Sequence, residues 1–249
     1  MTLRDFLSNP AGKGDSSLGR AAIISTLNAK YDELVKNKRI KCKIYRKLGG
    51  SSDYFIHLII PTETERDNTY DVVFHLYNNK KENPTAQVRD YNVKFFTNTP
   101  SFAYTFLYVY YQNGLFEESL KNKFDATFLK QAPVERNQFN VVNYDKYLYF
   151  GAKYVVESHL LSEGSLNLRS ISYSSELFNR SIRTFDQIMN EYRKAENKLK
   201  RKTNDTKRQK NDINSERRNV SNGKVSKVQP KKPKTKKSTK RKVSKVSKK

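Results

Sequence analysis

The last 33 residues of the chain, Arg217 to Lys249, hold 15 Lys and Arg and not one Asp, Glu or aromatic side chain. Cations at that density repel one another. With no apolar groups to bury, such a segment does not recover the ~1–2 kcal/mol per residue that ordering a backbone costs. Folding is therefore expected upstream. From Arg193 onward 24 basic residues face 4 acidic ones, whereas the preceding 192 residues carry 25 basic and 21 acidic groups. The sequence predicts a near-neutral globular domain over residues 1–200, ending in a long helix, and a disordered Lys-rich tail over 201–249. Abundant Lys, Asn, Ile, Tyr and Phe fit an AT-rich genome, but that bias does not remove acidic residues from the tail.

Most of the 16 Tyr and 14 Phe lie in the first 190 residues with Ile, Leu and Val, enough for a sizeable core. Cys42 is the only cysteine, so an intramolecular disulfide is excluded, which fits a reducing compartment. The first residues, MTLRDFLSNPAGKG, show no signal-peptide run, and the densest apolar stretch, Phe102 to Tyr111, is too short for a membrane span. A non-secreted protein without a membrane partner is expected.

Met1 to Leu7 reads as a helical turn, SNPAGKGDSS as a loop, and a helix follows from Ser16 or Ser17 to about Lys36, with Ile23, Ile24, Leu27, Tyr31, Leu34 and Val35 on one face. Strands come next. Ile40, Cys42 and Ile44 alternate with Lys41, Lys43 and Tyr45, and Gly49–Ser52 is a turn. Tyr54–Ile60 ends at Pro61, Tyr70–Tyr77 precedes a loop over Asn78–Pro84, and Tyr91–Phe96 completes the set. Short connections predict an antiparallel sheet of about four strands in meander order. Pro100–Asn113 alternates its aromatics with period two, yet Thr99 as cap, Pro100 at the first turn and Asn113-Gly114 as stop favour a helix. Leu115–Phe124 reads as a second helical piece, and Asn143 or Tyr144 to Leu160 as a third with Tyr147, Leu148, Tyr154 and Val155 inward. Ser174 opens the long helix, whose seam is Phe178, Ile182, Phe185, Met189, Tyr192 and Leu199. The fold class is α+β, with helices packed on one face of the sheet.

The tail carries the strongest functional signal. Lys231, Lys232, Lys234, Lys236, Lys237, Lys240, Arg241 and Lys242 fall within twelve residues, flanked by Lys224 and Lys227 before and Lys245, Lys248 and Lys249 after. Pro230 and Pro233 keep the chain extended, and Val-Ser-Lys-Val recurs at Val225–Val228 and Val243–Val246. Ammonium groups so spaced track phosphates and release counterions, giving affinity without base reading. Lysine-rich segments of this kind serve base-edge recognition poorly, so non-specific DNA or RNA binding is expected. A solubilising tail, a nuclear-import address, or a contact for an acidic protein or lipid headgroups are the alternatives. Lipid is disfavoured, since no lipidation signal or apolar anchor accompanies the lysines.

Elsewhere the signals are thin. Ala11–Ser16 has Lys between glycines but lacks the spacing and the Ser or Thr of a phosphate-binding loop. His57 and His75 sit in adjacent expected strands with no Cys, Asp or Glu at ligand spacing, so sheet-face histidines are expected and no metal site. His159 is expected to meet carbonyls at a helix end. Cys42 should pack on the buried face of its strand. Glu63, Glu65 and Asp67 share one loop with Arg66 and do not converge as Mg²⁺ ligands would. Tyr104, Tyr108, Tyr110 and Tyr111 offer stacking surfaces for bases, though core packing suits them better because no basic residue is interleaved. Arg180, Arg183 and Arg193 are expected on the outer face of the last helix, extending the tail's footprint. No catalytic residue, cofactor or metal is expected.

Two stretches, Thr97-Asn98-Thr99-Pro100-Ser101-Phe102-Ala103-Tyr104 leading to Asn113-Gly114-Leu115, and Glu135-Arg136-Asn137 followed by Tyr144-Asp145-Lys146-Tyr147-Leu148-Tyr149-Phe150, resemble uncharacterised proteins of tailed bacteriophages with AT-rich genomes. The resemblance covers about the middle third of the chain and carries no residue role. It implies a viral protein acting in the host cytoplasm or packaged in the virion.

These readings together predict a non-enzymatic, nucleic-acid-associated viral protein. The first rival is a structural or scaffold-type protein whose tail tethers it to an acidic partner or virion component; the second is a divergent nucleic-acid enzyme.

Overall fold

Strands whose two faces are both covered read as continuous apolar runs, and YFIHLIIP and TYDVVFHLY are such runs. They form the centre of the sheet in a computed structural model that describes residues 1–8, 17–37, 39–47, 53–62, 68–78, 85–133, 137, 142, 145–198 and 200–201. β1 (Lys41–Arg46), β2 (Tyr54–Pro61), β3 (Thr69–Tyr77) and β4 (Asn92–Thr97) pair antiparallel in sequence order. A fifth strand, β5 (Ser170–Ser172), adds parallel to β1, giving the order β4-β3-β2-β1-β5. The sheet is therefore mixed, not purely antiparallel as the meander reading expected: a three-residue segment returns to the free side of β1 after the helical stretch that follows β4.

Helices cover both faces, which corrects the expectation of one. Ile56, Leu58, Ile60, Val72, Phe74 and Phe95 point to one side, where α5 (Lys146–Glu157) lies against β3. On that side α1 (Leu3–Ser8) sets Phe6 against Phe95 at 4.7 Å, and α2 (Ser17–Lys36) sets Tyr31 against Phe150 of α5. The opposite face carries Tyr45, Phe55, Val73, His75 and Phe96. There Phe178 of α7 (Ser175–Ser181) packs between Tyr45 and Phe55. Tyr45, expected outward by alternation, is buried for this reason.

Pro100–Asn113 is helical as expected. Thr99 Oγ1 accepts from the Phe102 N–H, and Gly114 ends the helix in the left-handed region at φ 66°. Residues Phe102–Phe106 form a π turn before α3 (Leu107–Gln112). Leu115–Phe124 differs from the expected helix. Its start is extended along β4, where Phe95 N–H donates to Leu115 O and Glu117 N–H to Phe95 O, and only Glu118–Lys123 turns, as a 3₁₀ helix. These bonds, with Val93 N–H to Met1 O, cover the outer edge of β4. A short α4 (Thr127–Lys130) follows.

α5 begins at Asp145, whose carboxylate accepts the Tyr147 N–H at 2.8 Å. It ends in a Schellman motif: His159 N–H donates to Val156 O and Leu160 N–H to Val155 O, with His159 itself left-handed at φ 54°. His159 thus meets terminal carbonyls, as expected, but through its backbone. α6 (Glu163–Arg169) leads into β5.

The expected long C-terminal helix is two helices. α7 stops at Ser181, Ile182 is extended, and α8 runs over 185–198. Thr184 and Gln187 make a reciprocal capping box, the Thr184 N–H donating to Gln187 Oε1 and the Gln187 N–H to Thr184 Oγ1. The break shifts the seam. Phe178, Ile182, Phe185 and Ile188 are buried, Met189 and Tyr192 half-buried, and Leu199 lies outside the described residues. The compact unit spans Met1–Lys198.

Gly151 lets α5 sit on β3. A Cβ there would stand 2.8 Å from Phe74 Cε2 and 3.0 Å from Val72 Cγ1, both in the core. Alanine is favoured over glycine by ~1 kcal/mol in a helix interior, while overpacking costs ~1–3 kcal/mol. Gly151→Ala is therefore expected to lower stability by about 1 kcal/mol and Gly151→Val by more. Urea denaturation checks this, and a stabilised Gly151→Ala variant would mean that α5 can lift off the sheet without loss.

Candidate functional site

The tail residues named from the sequence, Lys224, Lys227, Lys231, Lys232, Lys234, Lys236, Lys237, Lys240, Arg241, Lys242, Lys245, Lys248 and Lys249, lie outside the described residues. So do Ala11–Ser16 and the acidic loop of Glu63, Glu65 and Asp67 with Arg66. Within the described unit, ionisable side chains gather in two largely buried clusters around His57 and His75, on the sheet face that α7 covers.

His57 on β2 pairs across with Val73, and Asp71 lies two residues before Val73 on the same face. His57 Nε2 stands 2.8 Å from Asp71 Oδ1, and its Nδ1 is buried without a hydrogen-bond partner among the described residues. Asn98, just past β4, brackets Asp71: its Oδ1 accepts the Asp71 N–H and its Nδ2 donates to Asp71 Oδ2, each at 2.9 Å. Arg183, in the gap between α7 and α8, completes the set. Its Nε donates to Asp71 Oδ2 at 2.9 Å, its Nη2 to the carbonyl and hydroxyl of Thr69, and its Nη1 to Glu191 at 2.8 Å. Burial alone would raise the Asp71 carboxyl. Hydrogen bonds and charge from His57, the Arg183 guanidinium and the Asn98 amide outweigh it and hold the group below its ordinary value.

Arg183 is thus not on the outer face, as the helical reading placed it. The helix break turns it inward, so of the three arginines expected to extend the tail's footprint only Arg180 and Arg193 are exposed, Arg180 paired with Glu176.

At the other end of the same face, His75 stacks on Phe55 with ring centroids 4.0 Å apart. Its Nδ1 is 2.6 Å from Glu117 Oε2 and its Nε2 3.7 Å from Asp53 Oδ2, an ion-pair contact too long for a hydrogen bond. Glu117 Oε1 accepts from the N–H and hydroxyl of Ser119. Burial opposes charge on His75, but the flanking carboxylates of Asp53 and Glu117 prevail and raise its pKa. Burial likewise pushes Glu117 up, and His75 and Ser119 bring it below the ordinary range. The two histidines are sheet-face residues, as expected. Their carboxylates come from other elements, at separations of 14 residues for Asp71 and 42 for Glu117, which no spacing rule would reveal.

These clusters are packed into the core. Two pockets are described, one of about 720 Å³ bordered by Arg4, Gln87, Arg89, His159, Ser162 and Glu163, the other of about 340 Å³ by Tyr104, Tyr108, Phe128, Gln131 and Pro133. Neither is lined by His57, Asp71, His75, Glu117 or Cys42. Perturbed titration of Asp71, His75 and Glu117 accompanies the ion pairs they make on this face. Cys42 is half-buried, and burial pushes its thiol up to about 11, so the nucleophilic thiolate is suppressed. Asp145 is a buried carboxyl raised by desolvation, engaged as the cap of α5. The tyrosine stripe divides: Tyr110 is in the core, while Tyr104 is 56% exposed with Phe128 and Phe185 against its ring. Among the described residues no three His, Cys, Asp or Glu groups are placed to hold a metal ion, and no helix is long and apolar enough to cross a membrane.

Comparison with protein-family models, with curated proteins and with solved structures finds no match to this chain. Its own residues are the ground for a functional reading.

Two outcomes follow from the clusters. Arg183→Ala leaves the Asp71 carboxylate short of its main cation. Loss of one partner from a buried pair costs ~3–5 kcal/mol, and the partial exposure of Arg183 reduces this to about 2–4 kcal/mol. Arg183→Lys restores little, because an ammonium does not span Asp71, Thr69 and Glu191 together. Adding Asp71→Asn to Arg183→Ala should recover part of the loss in a double-mutant cycle, and strictly additive effects would refute the coupling.

The second outcome concerns pH. His75 has a folded pKa above its unfolded value of ~6.5, so its contribution is complete below that pH and declines as pH rises through the folded value. Glu117, lowered, contributes above ~4.3 and loses its share as pH falls through its folded pKa. Unfolding free energy should therefore decline as pH rises above ~6.5 in the native chain and stay flatter over that range in His75→Gln; parallel profiles would sink this assignment.

Proposed function

We propose that the protein is a non-enzymatic, nucleic-acid-associated viral protein that binds DNA or RNA non-specifically through Lys224–Lys249, acting in the host cytoplasm or the virion. One observation carries this reading: the chain divides its charge, with 15 cations and no anion in the last 33 residues and near balance in the first 192. Each phosphate neutralised by a lysine releases condensed counterions, and this term is indifferent to base sequence. The folded unit supports the reading by what occupies its polar groups. Asp71, His57, His75 and Glu117 bind one another, and Arg183 is held among them, so the affinity is assigned to the tail. No cofactor takes part.

The experiment is a binding titration across a salt series, with the full chain and a variant ending at Arg201. With ~6–10 phosphate contacts, affinity for a duplex of arbitrary sequence should fall by ~10³–10⁵ between 50 and 200 mM salt. Removing 202–249 should abolish binding, and scrambling the target sequence should change nothing. Undiminished low-salt affinity without the tail would overturn the reading and send the search to the folded unit. Binding to an acidic protein but to no polynucleotide would favour a scaffold-type virion component, and Mg²⁺-dependent cleavage by the shortened chain would establish a nucleic-acid enzyme.

A further inference from the structure

The larger of the two described pockets, about 720 Å³, lies where α1, a 3₁₀ turn over Val88–Asp90 and the end of α5 come together. A cavity of that size falls in the ~300–1,000 Å³ range of small-molecule sites. Each element brings one basic group to its border: Arg4 from α1, Arg89 from the 3₁₀ turn and His159 from just past α5. All three are exposed.

The clusters around His57 and His75 are closed by their own counter-charges, and this border is not. The side chains of Arg4 and His159 make no hydrogen bond or ion pair among the described residues. Asp90 stands 3.8 Å from Arg89 Nε, too far for a hydrogen bond, and both are about half exposed, so the pair is weak. The other carboxylates nearby are engaged. Asp5 accepts the Thr2 N–H at 2.8 Å, and Glu163, the one carboxylate among the described lining residues, accepts from the Tyr91 hydroxyl at 3.3 Å. Ser162 Oγ accepts the Ser165 N–H, which leaves its own O–H to donate toward the cavity that it borders.

His159 supplies a second, independent observation. It holds the left-handed position of the Schellman motif, φ 54°, where glycine is usual because a Cβ is strained there. Gly114 fills the corresponding place after α3, at φ 66°. Core packing does not account for an imidazole at this position, since it is exposed; its place on the border of the cavity does.

We propose that this cavity binds a phosphate monoester, its oxygens met by Arg4, Arg89 and His159. A planar carboxylate is satisfied by the fork of one guanidinium. Donors that converge from three elements suit a tetrahedral anion with acceptor oxygens on every side, and the remaining volume takes the organic part of the ester. The inference is independent of what the tail binds.

Calorimetric titration of the full chain with adenosine monophosphate tests it, with adenosine as the uncharged control. The lysine tail is identical in every variant, so its own contribution cancels in the comparison. Arg4→Gln and Arg89→Gln should each weaken binding about ten- to a hundredfold, the loss of a hydrogen bond to a charged group. His159→Gly should weaken it too while holding or raising the unfolding midpoint, because the strained Cβ leaves with the imidazole. Lost affinity without lost stability separates contact with the ligand from a structural role. A short oligonucleotide with and without a terminal phosphate distinguishes the sources of the monoester. A preference for the phosphorylated form that Arg89→Gln abolishes assigns the site to strand ends, and equal binding beside intact monophosphate affinity assigns it to free small molecules. Equal monophosphate affinity in all variants would place the anion on the tail lysines and overturn the proposal. Equal binding of adenosine would also overturn it, as would no binding of either the monophosphate or inorganic phosphate.

Discussion

Asp71 is the constraint around which the unit is arranged. It sits in a central strand among Tyr70, Val72, Val73 and Phe74, where an uncompensated carboxylate would cost several kcal/mol. Its partners arrive from three places: His57 from the neighbouring strand, Asn98 from the exit of β4, and Arg183 from the junction of α7 and α8. The last of these shapes the helices. For the guanidinium to reach Asp71 and the Thr69 carbonyl, the chain leaves helical geometry at Ile182, and the Thr184–Gln187 box starts a new helix in a new phase. A buried ion pair contributes little net stability compared with apolar packing of the same volume. Its effect here is to fix one orientation of α7 and α8 over the sheet, because another orientation leaves Asp71 without a cation.

How far the fold could be read in advance follows from the range of each interaction. Strand limits were legible to within a residue or so, since Gly, Pro and polar clusters bound YFIHLIIP and TYDVVFHLY on both sides. The helix at Pro100 was legible from Thr99 and from Asn113-Gly114, all local chemistry. The break at Ile182 had a local signal too: Thr184-Phe185-Asp186-Gln187 has the spacing of a capping box, but the run Phe178, Ile182, Phe185 keeps helical spacing across it. Coverage of both sheet faces was present in the lack of alternation along β2, where even His57 replaces an apolar residue without exposing it. The carboxylate partners of His57 and His75 had no such signal. Asp71 looks like one more strand residue, and Glu117 belongs to a segment whose extended start depends on pairing with β4, a contact that spacing along the chain does not encode.

The same distinction separates the two kinds of polar residue in this protein. In the folded unit, the buried and half-buried ionisable groups are satisfied by near neighbours: His57 with Asp71, His75 with Glu117 and Asp53, Asp145 with the first turn of α5. None of them lines the two described pockets. The residues proposed to meet a polynucleotide are instead charges with no counterpart nearby in the sequence, and the balance of 25 basic to 21 acidic groups before Arg193 is what sets them apart.

A polycation needs no fold to condense on a polyanion, so the folded unit must supply something other than affinity. On the proposed reading it supplies a body whose own charge is nearly balanced, so that the phosphate contacts with a polynucleotide stay with the tail. A single lysine-rich segment exchanges readily as salt ions compete for phosphate, because each contact is weak and independent.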